Sequence, residues 1–365
     1  MMQPGAVVLR VALLPGDGIG PEVVAEAVRV LGAIESRVGG VAFSFEEFSA
    51  GAGEYLKSGD PLPEPVFERL REFDAILLGA MGLPAVRWPS GVEMTPQLDL
   101  RERLDLYCGL RPVYLYHPAD SPLKDRPAGS IDFLIVREST EGLFSSRLQT
   151  PDPAADFAQD RMLITRAGAE RVIRAAFRQS LRRRKHVTLI DKANVLPSMA
   201  FFRKVFDRIA PEFPEVETER TYIDAAALYF VGRPERFDVV VTENMFGDIL
   251  SDLAAGLVGG MGMAPSADVG DRYAVFQPAH GSAPDIAGQG IANPAAAILS
   301  AAMMLDWLDR PETLQGAAMI RAAVRTVFSG RRARTRDMGG TLSTSEMTAS
   351  ILAALPSRPG TGGAQ

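Results

Sequence analysis

Two aspartates stand four residues apart in Glu243-Asn-Met-Phe-Gly-Asp248-Ile-Leu-Ser-Asp252, so they project from one side of any helix that carries them. Like charges placed this way repel. A divalent cation that favours hard oxygen ligands, Mg²⁺ or Mn²⁺, relieves that repulsion, and two solvated carboxylates are the alternative reading. Asp224 is a third candidate ligand, set in the apolar run of residues 222–231, where an unpaired carboxylate is costly to bury. Arg101, Arg111 and Arg137 each follow or end an apolar segment. Guanidinium groups clamp carboxylates through paired hydrogen bonds, although each arginine alone also suits a surface ion pair. Lys192, in Asp191-Lys192-Ala193-Asn194, is a candidate base where a metal or other cations lower its pKa, and otherwise a surface lysine.

Glycine-rich turns supply a second kind of chemistry. In Pro15-Gly16-Asp17-Gly18-Ile19-Gly20-Pro21-Glu22 a strand-like run meets a helical one, which invites a Rossmann reading. The third glycine of that fingerprint falls on Pro21, whose fixed φ suits a first helical turn instead of close helix-to-strand packing. The second segment, His280-Gly281-Ser282-Ala283-Pro284-Asp285-Ile286-Ala-Gly-Gln-Gly290-Ile-Ala-Asn293, is more informative. Its glycines let backbone approach a ligand, Ser282 and Asn293 offer hydrogen bonds, and Asp285 can accept from a ribose diol; a surface loop is the plain alternative.

Elements that position these residues are visible in the pattern. Apolar runs at residues 7–14, 75–79, 131–136, 187–190 and 237–242 read as buried strands, and residues 167–184 and 294–308 have the three-to-four spacing of helices. The alternation implies an α/β fold with helices on a largely central sheet. Residues 150–159, rich in Pro, Asp and Ala, read as a loop or arm, and residues 356–365 as a frayed tail. At 365 residues the chain has room for two domains. The lone Cys108 makes no intrachain disulfide, and no leader or membrane-length apolar run is evident, so a cytoplasmic protein is expected. A net charge of -6 argues against a general nucleic-acid surface. The one basic block, residues 182–185, reads as a solvated helix end.

Taken together the segments resemble the isocitrate and isopropylmalate dehydrogenase family of metal-dependent, β-decarboxylating oxidoreductases. The motifs that carry the resemblance are Leu14-Pro-Gly-Asp-Gly-Ile-Gly-Pro-Glu22, Leu100-Arg101, Leu110-Arg111-Pro112, Val136-Arg137-Glu138-Ser-Thr-Glu141-Gly142, Asp191-Lys192-Ala193-Asn194, residues 246–252 and residues 280–285. The resemblance implies two α/β domains, not Rossmann, with a cleft between them. Residues 1–106 with 259–365 are expected to bind NAD, and residues 107–258 to hold substrate, metal and dimer contacts, with an interlocking arm near 145–165. It further implies that Arg101, Arg111 and Arg137 hold the carboxylates of a malate-type substrate, and that Asp248 and Asp252 bind the metal with Asp224 of the partner subunit. Lys192, also lent by the partner, is implied to take the hydroxyl proton, so a homodimer with shared sites is expected. His280, Gly281, Ser282, Ala283, Asp285, Ile286 and Asn293 are implied to hold the cofactor, Asp285-Ile286 matching NAD-using members; a carboxylate there also repels a 2′-phosphate.

Three departures qualify this picture. Phe144 stands where relatives have a tyrosine assigned to protonating the enolate left by CO₂, so water or another side chain supplies the proton, or decarboxylation is slow, or the chain is a degenerate copy. Gln277 stands where relatives have Glu near the nicotinamide. Before Arg101, in the segment that reads the substrate's variable group, Met94 and Leu98 suit an apolar pocket, but Gln97 replaces a usual leucine. A 3-alkylmalate, isopropylmalate first, is therefore expected, ahead of D-malate or tartrate, whose enzymes share Ser145-Ser146, and of isocitrate. A non-catalytic regulatory subunit and a dehydrogenase that stops at the oxo acid are the competing classes. His117, His186, Met303, Met304 and Cys108 are read as packing or surface residues.

Overall fold

The computed structural model describes residues 6–147, 149, 152 and 154–356. In chain order its elements are β1 (Val7–Gly16), α1 (Gly20–Val38), β2 (Val41–Glu47), α2 (Ala52–Ser58), α3 (Glu64–Leu70), β3 (Ala75–Ala80), α4 (Pro96–Arg103), β4 (Cys108–Tyr114), β5 (Asp132–Glu138), α5 (Arg166–Leu181), β6 (His186–Asp191), α6 (Pro197–Ile209), β7 (Glu217–Tyr222), α7 (Ile223–Gly232), β8 (Val239–Thr242), α8 (Asn244–Gly256), β9 (Pro265–Val269), β10 (Ala274–Pro278), α9 (Ala295–Trp307), α10 (Pro311–Ser329) and α11 (Thr344–Ala354). The α/β class read from the sequence holds.

Two compact units divide the chain. The first takes Met1–Gln97, Gly260–Ala267 and Tyr273–Gln365 so far as they are described, and the second Leu98–Gly259 with Asp268–Arg272. In the first, strands run in the order β2-β1-β3-β10-β9, and β1 pairs in parallel with both β2 and β3. Helix α1 buries Val23, Val24, Ala27, Leu31 and Ile34 along one stripe. That spacing places an apolar face toward α9, α10 and α11.

In the second unit the order is β4-β5-β8-β6-β7, with only the β4–β5 pair antiparallel among the pairings described. Its central strands are apolar on both faces, as expected where helices cover a sheet on two sides. Leu134, Val136, Val239 and Val241 join α5 and α6 through Phe177, Phe202 and Phe206, while Phe133, Ile135 and Val240 meet Phe230 of α7 and Leu250 of α8. The parallel strands β5, β6 and β8 therefore end on one side of the sheet, the edge where α/β folds place ligands.

Residues 182–185 are not simply solvated. Arg183 pairs with Asp132 and Asp238, and Arg184 donates to the carbonyls of Asp132 and Phe237. No helix of the described residues is long and apolar enough to cross a membrane.

Candidate active site

Arg101, Arg111 and Arg137 are buried, which removes the surface ion-pair reading for all of them. Arg101 lies on α4, Arg111 on β4 and Arg137 on β5, so three elements of the second unit converge. Arg137, 1% exposed, is held from several directions. Its Nε and Nη2 donate to Asn244 Oδ1 at 2.9 and 2.6 Å, Nη1 donates to Asp248, and its guanidinium carbon lies 5.2 Å from the centre of the Phe144 ring. Phe144 thus keeps a cation–π platform for Arg137 while offering no hydroxyl. Burial pushes the Arg137 pKa down to about 10, with the like charge of Arg101 adding to it. Arg111 is lowered for the same first reason, burial. Arg101 Nε stands 3.1 Å from Asp268 Oδ2, a charge contact without hydrogen-bond alignment, and the Nε atoms of Arg101 and Arg111 are buried without a hydrogen-bond partner. Orphaned cationic donors suit a carboxylate ligand.

The approach of these groups explains two glycines. A Cβ at Gly247, on α8, comes within 2.7 Å of Arg137 Cγ and 2.8 Å of its Cβ. At Gly109, opposite Arg137 in the β4–β5 register, a Cβ meets Ser139 Oγ at 2.6 Å and Asp268 Oδ1 at 3.2 Å.

Asp248 and Asp252 lie on α8, which follows β8, so their four-residue spacing puts them on one side of a helix. Glu243 starts that helix, its carboxylate accepting from Phe246 N at 2.6 Å and Met245 N at 3.1 Å. Burial, followed by the like charge of Asp248, raises the Asp252 pKa. This pair gains from a divalent cation, so the donor set fits one. The apolar flanks of Asp224 do not bury it: the side chain is 68% exposed, against the expectation from its sequence setting. Lys192 Nζ donates to Asp224 Oδ1 at 2.5 Å, and this bond holds the Asp224 carboxyl below its usual range. Lys192 and Asp224 are therefore brought together. Among the described residues no three His, Cys, Asp or Glu side chains of one chain gather as a metal cage.

The Lys192 turn is built by its neighbours. Asp191, fully buried, takes both Arg203 Nε and Nη2 at 2.7 Å and accepts from Ala193 N at 2.9 Å. Arg203 also lies 5.0 Å over the Tyr222 ring, and Lys192 Nζ stands 6.0 Å from the same ring.

In the first unit, residues 280–293 form a loop tied at several points. Ile19 N donates to Ser282 O at 2.8 Å, Ser282 Oγ to Gly82 O at 2.5 Å, and Thr344 to Gly290 O and Ala292 O at 2.8 and 2.7 Å. Ser282 and Asn293 thus have protein partners: Asn293 Nδ2 donates to Asp337 Oδ2 at 3.1 Å and its Oδ1 caps Ala295 N. Ala283 adopts a φ of +39°. A Cβ at Gly281, Gly288 or Gly290 meets nothing within 4 Å, leaving open space along the loop. His280 Nδ1 bonds Gly281 O at 2.9 Å, its Nε2 is buried without a partner, and burial lowers its pKa. An uncharged imidazole with a free nitrogen, glycines with open flanks and the exposed Asp285 and half-buried Ile286 fit a nucleotide.

Met94 is buried, Leu98 is half-buried, and Gln97 has a buried Oε1 with no partner. Sequence reasoning missed Asn244, Asp268, Arg203 and Asp337. Asn244 sat inside a motif read only for its aspartates; the other three come from segments distant in sequence, with no local signal. The arm region overlaps residues 148, 150, 151 and 153, outside the described residues.

Comparison with known proteins adds independent support. A family profile described as isocitrate/isopropylmalate dehydrogenase matches residues 10–351. A 3-isopropylmalate dehydrogenase of Moorella thermoacetica is 46% identical over 329 residues, 88% of this chain and 90% of that protein. The crystal structure of an isocitrate dehydrogenase from Methylococcus capsulatus is similar with a TM-score of 0.85 and 37% identity, covering 95% of this chain and 99% of that one. A β-decarboxylating dehydrogenase from Thermococcus kodakarensis, in its apo form, gives a TM-score of 0.79 at 40% identity, with 95% and 96% covered.

Proposed function

The chain belongs to the isocitrate/isopropylmalate dehydrogenase family, and within it we propose NAD-dependent, divalent-metal-dependent oxidative β-decarboxylation of a 3-substituted malate, 3-isopropylmalate first. The observation that carries this reading is the buried group of Arg101, Arg111 and Arg137 beside Asp248 and Asp252. Its guanidinium groups bind and orient the substrate carboxylates, and Arg137 is aimed by Asn244. Asp248 and Asp252, joined by Asp224 of a second copy, are the residues to hold the metal. Lys192 of that copy, held on its turn by the Asp191–Arg203 pair, takes the hydroxyl proton. A nicotinamide bound here would supply a hydride acceptor, and a divalent metal a Lewis acid for the substrate oxygens. The loop at 280–293 is the nucleotide seat, with Asp285 set for a ribose diol and against a 2′-phosphate.

A homodimer is part of the proposal. Helices α7 and α8 expose Leu228 and Ile249 at 68% and 59%, Val231 on α7 is exposed too, and so is Val195, three residues after Lys192. Apolar side chains of this size favour cover by another surface.

Phe144 supports one second reading, in which the reaction stops at the 2-oxo acid because no phenol stands at that position. Purified protein with NAD⁺ and Mn²⁺ or Mg²⁺ is offered 3-isopropylmalate, D-malate, tartrate and isocitrate, with products identified by mass. NADH formation with loss of CO₂ from a malate-type acid is the expected outcome. An oxo acid that keeps its β-carboxylate selects the second reading, and no turnover on any acid removes both.

A further inference from the structure

We infer that Asp268 sets the charge of the acid that the arginine pocket accepts, selecting a dicarboxylate and rejecting a tricarboxylate. This inference rests on the reading that Arg101, Arg111 and Arg137 bind the substrate. Asp268, on β9, is 0% exposed. Its Oδ2 faces Arg101 Nε at 3.1 Å, and Ser139 Oγ donates to its Oδ1 at 3.4 Å. The absence of a side chain at Gly109 gives that carboxylate its room. A buried carboxylate so enclosed stays where it is when substrate arrives.

Charge then decides what fits. Three buried guanidinium groups and one buried carboxylate leave two positive charges, once Asp248 and Asp252 are set against a divalent cation and the Lys192 of the second copy against its own Asp224. A dicarboxylate dianion matches them. A third carboxylate meets the field of Asp268 with no further guanidinium to receive it, and like charges brought together there disfavour binding. The residues leading into Arg101, Glu93-Met-Thr-Pro-Gln-Leu-Asp-Leu100, add no Lys or Arg. Arg111 and Arg137 both feel Asp268 as a stabilising charge, in keeping with one carboxylate serving the whole group.

Binding of succinate and of propane-1,2,3-tricarboxylate, two acids the enzyme cannot oxidise, is measured by calorimetry in the full-length wild type, Asp268→Asn and Asp268→Glu. The wild type is expected to prefer succinate. Asp268→Asn, isosteric and still an acceptor for Ser139, is expected to shift the ratio toward the tricarboxylate by about tenfold or more, with Asp268→Glu staying within about threefold of wild type. An unmoved ratio in Asp268→Asn, or an equal shift in Asp268→Glu, overturns the inference. Equal binding of both acids by the wild type overturns it without any variant, which covers the case of an Asn variant that does not fold. A wild type that binds neither acid removes the arginine-pocket reading and this inference together, whereas binding of both with a ratio indifferent to the Asn change removes only the inference.

Discussion

At the scale of single residues, the site depends on groups that have little freedom. Arg137 is fixed by Asn244, Asp248 and the Phe144 ring, and α8 passes so close that only a hydrogen fits at Gly247. Gly247→Ala forces Arg137 aside while leaving the helix intact. Its kcat/KM for the acid is expected to fall about 100-fold, with the loss in the KM for the acid and the KM for NAD⁺ retained. Kinetics indistinguishable from wild type would show that Arg137 does not touch substrate. A second prediction concerns protons. Burial and Asp248 raise the Asp252 pKa, so its carboxyl is protonated at a higher pH than an ordinary aspartate. Because a divalent ion needs the ionised form, Mn²⁺ affinity is expected to weaken as pH falls, and to begin weakening at a higher pH than in a site built of ordinary aspartates. An affinity that, by titration calorimetry, stays flat with falling pH down to the range where ordinary aspartates titrate would separate Asp252 from the metal.

At the scale of elements, turns between strand and helix do the positioning. The first glycine turn illustrates this. Gly16 and Gly18 have φ of +73° and +60°, and a Cβ on either collides with the carbonyl of Ala80 or Ser282. Between them Asp17, buried, accepts from Ala52 N, Gly53 N and Gly82 N at 2.8, 2.8 and 2.7 Å. The turn is a staple that gathers other loops. Asp17→Ala strands buried N–H donors and is expected to lower unfolding free energy by about 3 kcal/mol; a loss below about 1 kcal/mol in denaturant titration would refute the staple. Much at this scale was legible in the sequence. Apolar runs gave β1, β3, β5, β6 and β8, and the three-to-four spacing gave α5 and α9, because continuous burial leaves a pattern in one segment. Strands β2, β4, β7, β9 and β10 were missed; Arg111 interrupts β4, and β7, Glu-Thr-Glu-Arg-Thr-Tyr, is polar along an outer position of its sheet. Arg101, Arg111 and Arg137 were identified as candidates, but their burial and the Asp268 carboxylate among them are tertiary facts. Asp224 misled for a related reason, since apolar neighbours on a helix bury a residue only when another surface covers it.

At the scale of the whole molecule, what covers that surface becomes the question. Lys192, half-buried, is bonded to the exposed Asp224 of α7, the helix that also presents Leu228 outward, while α8 exposes Ile249. In the proposed homodimer a second copy seated there would cover the apolar side chains and bring a lysine and a carboxylate to the arginines and aspartates of its neighbour. Replacing Leu228 and Ile249 by Asp is expected to yield monomers by ultracentrifugation and to abolish turnover even though neither residue touches substrate. Complementation separates shared sites from dimerisation alone. Lys192→Ala and Arg137→Ala are each inactive on this account, but in a mixed dimer one site draws its Arg137 and its Lys192 from the two unaltered positions. If chains exchange at random, half the dimers are mixed and each holds one intact site of two, so unfolding and refolding an equal mixture is expected to restore about a quarter of wild-type activity. Sites contained within one chain would restore none, because every chain in the mixture lacks one of the two groups.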